Sequence, residues 1–125
     1  MALMLRYGWK QLRHWYSNRY RREAIARLQK IAENERQEFW LIELNKLLKL
    51  TALAAFSREQ VARLSGAEWV DFLNRHCTKP PFSLEQGKLL TTGPYKTTIL
   101  EGNTRQQLLA ASLIWVRTHE SPEDV

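Results

Sequence analysis

The sequence predicts an all-α fold: a compact bundle of five or six helices with a long basic N-terminal helix. Three observations predict it. Apolar residues recur every three or four positions over most of the chain. Four Ser/Thr-x-x-Glu/Gln boxes, the pattern that starts helices, fall within about fifty residues of the second half. One short stretch, residues 97–101, reads as extended, and no partner strand is apparent for it.

The first helix is expected over residues 5–31, where there is no proline and only Gly8 weakens the pattern. Leu5, Trp9, Leu12, Tyr16, Tyr20, Ala24, Leu28 and Ile31 form one stripe along it. From about Arg22 onward the stripe should pack on the body. The polar stretch 33–37 interrupts the pattern, and a second helix is expected over 38–56. Trp40, Leu44, Leu47, Leu48, Thr51 and Ala55 should form its inner face, with Glu43, Lys46 and Lys49 outward. Those three charges also interrupt the best apolar run, so the segment reads as a buried helix of a soluble bundle and not as a membrane span.

The boxes Ser57/Gln60, Ser65/Glu68, Ser83/Gln86 and Thr104/Gln107 predict helices at about 58–64, 66–77, 84–91 and 104–119. Lys79-Pro80-Pro81 and Gly93-Pro94 are the breaks. The division expected is an arm at 1–22, a helical domain at 23–120 and a flexible tail at 121–125. Leu44, Leu47, Leu48, Trp69, Phe72, Leu73, Tyr95 and Trp115 are the expected core.

Composition narrows the function classes. At 125 residues, with 44% apolar and 26% charged residues, the chain suits one domain plus an appendage rather than a disordered polymer. The apolar opening ends at Arg6, too soon for a secretory signal. Cys77 is the single cysteine, which fits a reducing compartment.

Charge is the strongest functional signal. Residues 1–30 carry eight Lys/Arg and one acid, +7, while the remaining residues carry eleven Lys/Arg and twelve acids, −1. The arm is also aromatic, with Tyr7, Trp9, Trp15, Tyr16 and Tyr20. Cations interleaved with Trp and Tyr suit an anionic, partly apolar surface such as the cytoplasmic face of a membrane, and the same arm also suits nucleic acid. Trp9, Arg13, Trp15, Arg19, Arg21 and Arg22 are the residues expected nearest that membrane.

Chemical sites are scarce. His14, His76, Cys77 and His119 do not make a ligand cluster, so no metal and no cofactor is expected. Gly87-Lys88 ends like a phosphate loop, but Phe82 stands where its first glycine belongs and Leu89 where Ser or Thr would hold magnesium. Glu68 and Asp71 share a helix face, which a solvated surface explains more simply than acid–base chemistry. No nucleophile signature is present, and a non-enzymatic protein is expected. The segment 57–76 resembles a helix-turn-helix unit, with small Ala62 and turn Gly66. Its second helix offers acids outward and only Asn74 and Arg75 as donors, so nucleic-acid binding ranks below a membrane surface. A soluble oligomer pairing through the stripe from Leu5 to Tyr20 is a third reading.

The body also resembles a family. Glu43-Leu44-Asn45-Lys46-Leu47-Leu48-Lys49, Ala52-Leu53-Ala54, the run from Leu64 to Leu73, Gly87-Lys88-Leu89-Leu90, Pro94-Tyr95 and Trp115-Val116-Arg117 carry the resemblance, over about 16–119. It is to an uncharacterised bacterial family, a domain of unknown function, of small membrane-anchored proteins encoded beside MoxR-type AAA+ ATPases and von Willebrand factor A (VWA) domain proteins. The resemblance implies an N-terminal membrane helix, a basic juxtamembrane stretch matching Arg13 to Arg22, and a cytoplasmic helical domain at the bacterial inner membrane. It implies an accessory or scaffold role whose protein partners are the MoxR-type ATPase and the VWA protein, and it carries no catalytic residues. This chain departs from that pattern by lacking the membrane helix, and residues 1–5 are expected to be its last turn, retained after truncation or from an alternative start.

Overall fold

A computed structural model describes residues 2–33, 39–92 and 102–120, with side chains over 18–33, 39–91 and 103–120. Among the described residues there are six helices and no strand, an all-α bundle: α1 (Ala2–Glu33), α2 (Trp40–Ala55), α3 (Arg58–Ala62), α4 (Ala67–Arg75), α5 (Leu84–Thr92) and α6 (Gly102–Thr118). The predicted core residue Tyr95, the extended stretch 97–101 and the tail lie outside the described residues.

α1 packs on α2 and α6, α2 also touches α3 and α6, and α4 lies on α5. Ala24, Leu28 and Ile31 deliver the lower part of the α1 stripe to the core. Leu44, Leu47, Leu48, Trp69, Phe72, Leu73 and Trp115 are all buried, as their spacing predicts. The inner face of α2 is rotated slightly from expectation. Leu41 and Ala52 are buried, while Trp40 and Ala55 are only partly so.

Several polar groups carried into this core find partners. The Trp115 indole N–H donates to the Leu73 carbonyl at 2.9 Å, joining α6 to α4. Trp69 donates to Asn45 Oδ1 at 3.1 Å, and the Asn45 amide donates to the Leu90 carbonyl at 3.3 Å, so one asparagine ties α2, α4 and α5. Thr51 and Ser112 return their hydroxyls to carbonyls one turn back, each at 2.8 Å.

Two of the four capping boxes are used. Gln86 N–H donates to Ser83 Oγ at 3.2 Å and Ser83 N–H to Gln86 Oε1 at 3.0 Å, a complete reciprocal box. Ser57 caps α3 by accepting from Gln60 N–H at 3.3 Å. Ser65 does not cap α4. Gly66 holds that position at φ 57°, a left-handed conformation open to glycine, so the helix begins one residue later than the serine box predicts. Thr104 lies inside α6, which starts at Gly102.

The helix-turn-helix reading of 57–76 expects close helix approach at Ala62 and Gly66. Both are exposed, and a Cβ on Gly66 would meet nothing within 4 Å. Close approach occurs instead at Gly87, where a Cβ would sit 2.8 Å from Val70 Cγ1. Gly87 is a packing glycine that lets α5 lie against α4.

Candidate functional site

α1 and α6 run antiparallel and exchange arginines. The last carbonyls of a helix have no partner within it, and cations are favoured there. The Arg21 guanidinium reaches across to the end of α6, donating to the carbonyls of Val116 (2.8 Å), Arg117 (3.3 Å) and His119 (2.6 Å). At the opposite end Arg105 of α6 donates to the Ile31 carbonyl near the end of α1 at 2.7 Å and stacks over Trp40. Each helix thereby caps the other.

Beside Arg21 lies His119, 1% exposed although it follows the end of α6. Its Nδ1 is 2.8 Å from the Trp115 carbonyl, which can only accept, so Nδ1 carries the proton. Nε2 therefore accepts from the Tyr20 hydroxyl at 2.8 Å. Arg21 Nη1 lies 3.2 Å from the already protonated Nδ1, a contact and not a hydrogen bond. The ring stacks on Trp115 at 4.3 Å. Tyr20, Arg21 and His119 together bind α1 to the body, so packing on the body reaches at least up to Tyr20.

The expected membrane-proximal residues fall into three groups. Trp9, Arg13 and Trp15 lie in α1, with side chains outside the described residues. Arg19 and Arg22 are exposed; Arg19 pairs with Glu23 at 3.5 Å, and Arg22 turns back to the Asn18 carbonyl at 3.4 Å. Arg21 faces the body instead, for the reason given above. Sequence periodicity could not separate it from its neighbours, because the carbonyls it binds lie far along the chain.

Other chemistry-bearing residues are used in packing. His76 lies 4.4 Å from Phe56 and 4.6 Å from Phe72, centroid to centroid. Burial first, and the adjacent Arg75 second, hold its imidazole below the ordinary value, against a hydrogen bond with the Glu120 backbone. Burial pushes the Cys77 thiol up, with the Thr118 hydroxyl 3.6 Å away as a weaker opposing influence. Asn74, one of the two donors that the DNA-reading alternative needs, exchanges two 3.1 Å hydrogen bonds with the Phe82 backbone.

A surface that the sequence reading did not single out lies along α2. Phe39, just ahead of the helix, and Ile42, Leu50 and Leu53 on it are exposed, at 63, 43, 47 and 36%. At 100° per residue these positions and Lys46 share one face, opposite the buried one. The expectation of a buried helix is corrected here: α2 is apolar on two sides, and among the described residues only one is covered. Next to this stripe, a groove of about 410 Å³ runs between α1 and α2. Ile31, Leu47 and Leu50 supply its apolar lining. Arg27, Lys30 and Lys46 stand around it with a single acid, Glu43.

Among the described residues no helix is long and apolar enough to cross a membrane. Comparison with curated proteins and with solved structures gave no match. Comparison with protein families gave one that spans residues 1–118, nearly the whole chain, and so contains the α2 stripe, the groove and the arginine exchange except for His119. The chain belongs to the family described as Domain of unknown function (DUF4381).

Proposed function

We propose that this protein is a non-enzymatic scaffold at the cytoplasmic face of the bacterial inner membrane, where its arm meets anionic lipid and its helical body docks protein partners of a MoxR ATPase–VWA system. The observation that carries the reading is the segregation of charge: +7 in residues 1–30 against −1 in the rest. Each basic residue near an anionic bilayer contributes about 1 kcal/mol, and Trp and Tyr favour headgroup depth. The exposed apolar stripe of α2 adds a surface of the kind that partners cover. The MoxR–VWA assignment rests on the family resemblance of the body.

The test is co-sedimentation of the chain with phosphatidylcholine vesicles, with and without phosphatidylglycerol, beside a duplex DNA shift assay at the same near-physiological salt. Binding is expected to anionic vesicles only, and to fall on the order of 100-fold in an Arg13→Glu/Arg19→Glu/Arg22→Glu variant. Arg21 is left intact because it holds α6. Binding to DNA without binding to anionic vesicles would overturn the membrane reading.

A further inference from the structure

We propose that the α1–α2 groove, with the adjoining stripe of α2, is the docking site for an acidic amphipathic helix of a partner protein. This deepens the scaffold reading and rests on it, by naming where the body binds and what chemistry it takes.

Shape and polarity point to a helix. Phe39 to Leu53 spans about 21 Å at 1.5 Å per residue, four turns of an α-helix. Its exposed apolar residues form two pairs three apart, Phe39/Ile42 and Leu50/Leu53, on one helical face with Lys46 between them, which suits the ridge of a second helix laid alongside. The groove offers Ile31, Leu47 and Leu50 as the apolar floor for that ridge.

Charge selects the partner's chemistry. Three cations and one carboxylate line the groove, a net +2. All four are exposed. Lys46 sits in the middle of the α2 stripe, where a second copy of the same stripe would place lysine near lysine. Self-pairing is disfavoured by that repulsion, and Asp or Glu flanking an apolar ridge is favoured. A bilayer is a poorer fit for a concave groove, since its surface cannot enter between two helices as one ridge of side chains can.

The experiment uses the full chain, isotopically labelled, and two synthetic helical peptides with leucines at i, i+3, i+4 and i+7. One carries glutamates at the flanking positions and the other lysines. The acidic peptide is expected to bind, with amide shifts concentrated at Ile31, Leu47 and Leu50, and the basic peptide is expected to bind at least about tenfold more weakly. Lys30→Glu/Lys46→Glu should reverse the preference, and Leu50→Asp should abolish binding of both. These side chains are exposed, so the variants are expected to fold, and unchanged circular dichroism checks it. Binding of both peptides alike, or of neither, overturns the proposal. So does a concentration-dependent dimer that Leu50→Asp dissolves, or vesicle binding that Leu50→Asp removes. The arm variant Arg13→Glu/Arg19→Glu/Arg22→Glu separates the two readings: it is expected to lose vesicle binding and keep peptide binding, whereas an unaltered chain that binds anionic vesicles but neither peptide keeps only the tether.

Discussion

α1 meets the body along two contacts that are closed in different ways. Toward α6 the contact is closed by polar partners: Arg21, Tyr20 and His119 engage carbonyls and each other, and the Trp115 ring covers the imidazole. Toward α2 the contact is incomplete, with cations standing around an apolar groove. Arg21 and Arg27 are the same residue type on the same helix, yet one caps a helix end and the other faces water. Charge along a sequence therefore does not reveal which cations hold the fold and which are left for a ligand. The unpaired carbonyls at the end of a helix decide that, and they come from another part of the chain.

The sharpest way to probe this contrast is through its apolar members. Trp115→Ala should cost about 3–5 kcal/mol, by losing a fully buried ring and stranding the Leu73 carbonyl. Leu50→Ala in the groove should stay within about 0.5 kcal/mol, because the side chain is 47% exposed. Chemical denaturation midpoints compare them directly. Next come the two arginines. Arg21→Met should cost about 2 kcal/mol by releasing three carbonyls at the end of α6, whereas Arg27→Met should be nearly neutral, within about 0.5 kcal/mol. Equal losses would break the comparison.

Smaller effects sharpen it further. Tyr20→Phe removes only the hydroxyl that His119 Nε2 accepts from, and about 1 kcal/mol should be lost in thermal melts. The smallest effect is pH dependence at His76. The folded imidazole titrates below the ordinary value of 6.5. In the window beneath that value the unfolded chain binds more protons, so stability is full above pH 6.5 and declines as pH falls through the folded pKa. A His76→Gln variant should show a flatter profile between neutral and mildly acidic pH, read by denaturation at several pH values.

Much of the architecture was legible because helix signals are local. Apolar spacing located α1 and α2, and the Ser/Thr boxes located the other four helices, all to within a few residues, and Ser57 and Ser83 mark real starts. Ser65 misleads because Gly66 can take a backbone conformation that the serine box does not anticipate. The site was less legible. The apolar residues of α2 read as belonging to a buried helix, and only the packed arrangement reveals that, among the described residues, no neighbour covers the side of α2 holding Ile42, Leu50 and Leu53. The role of Arg105 was equally hidden, since its acceptor at Ile31 belongs to the other end of the sequence. A cation inside an apolar stripe, Lys46 between Ile42 and Leu50, is the local clue to an outward-facing ridge.

The reciprocal arginines also act as an alignment key. Two smooth helices rich in leucine and alanine can slide by one turn, about 5.4 Å, and still find comparable van der Waals contact. Here any such slip would pull both guanidinium groups from their carbonyls at once, at opposite ends of the pair. The chain thus specifies a single registration between its first and last helices, much as two pins fix a hinge plate where one would let it swivel.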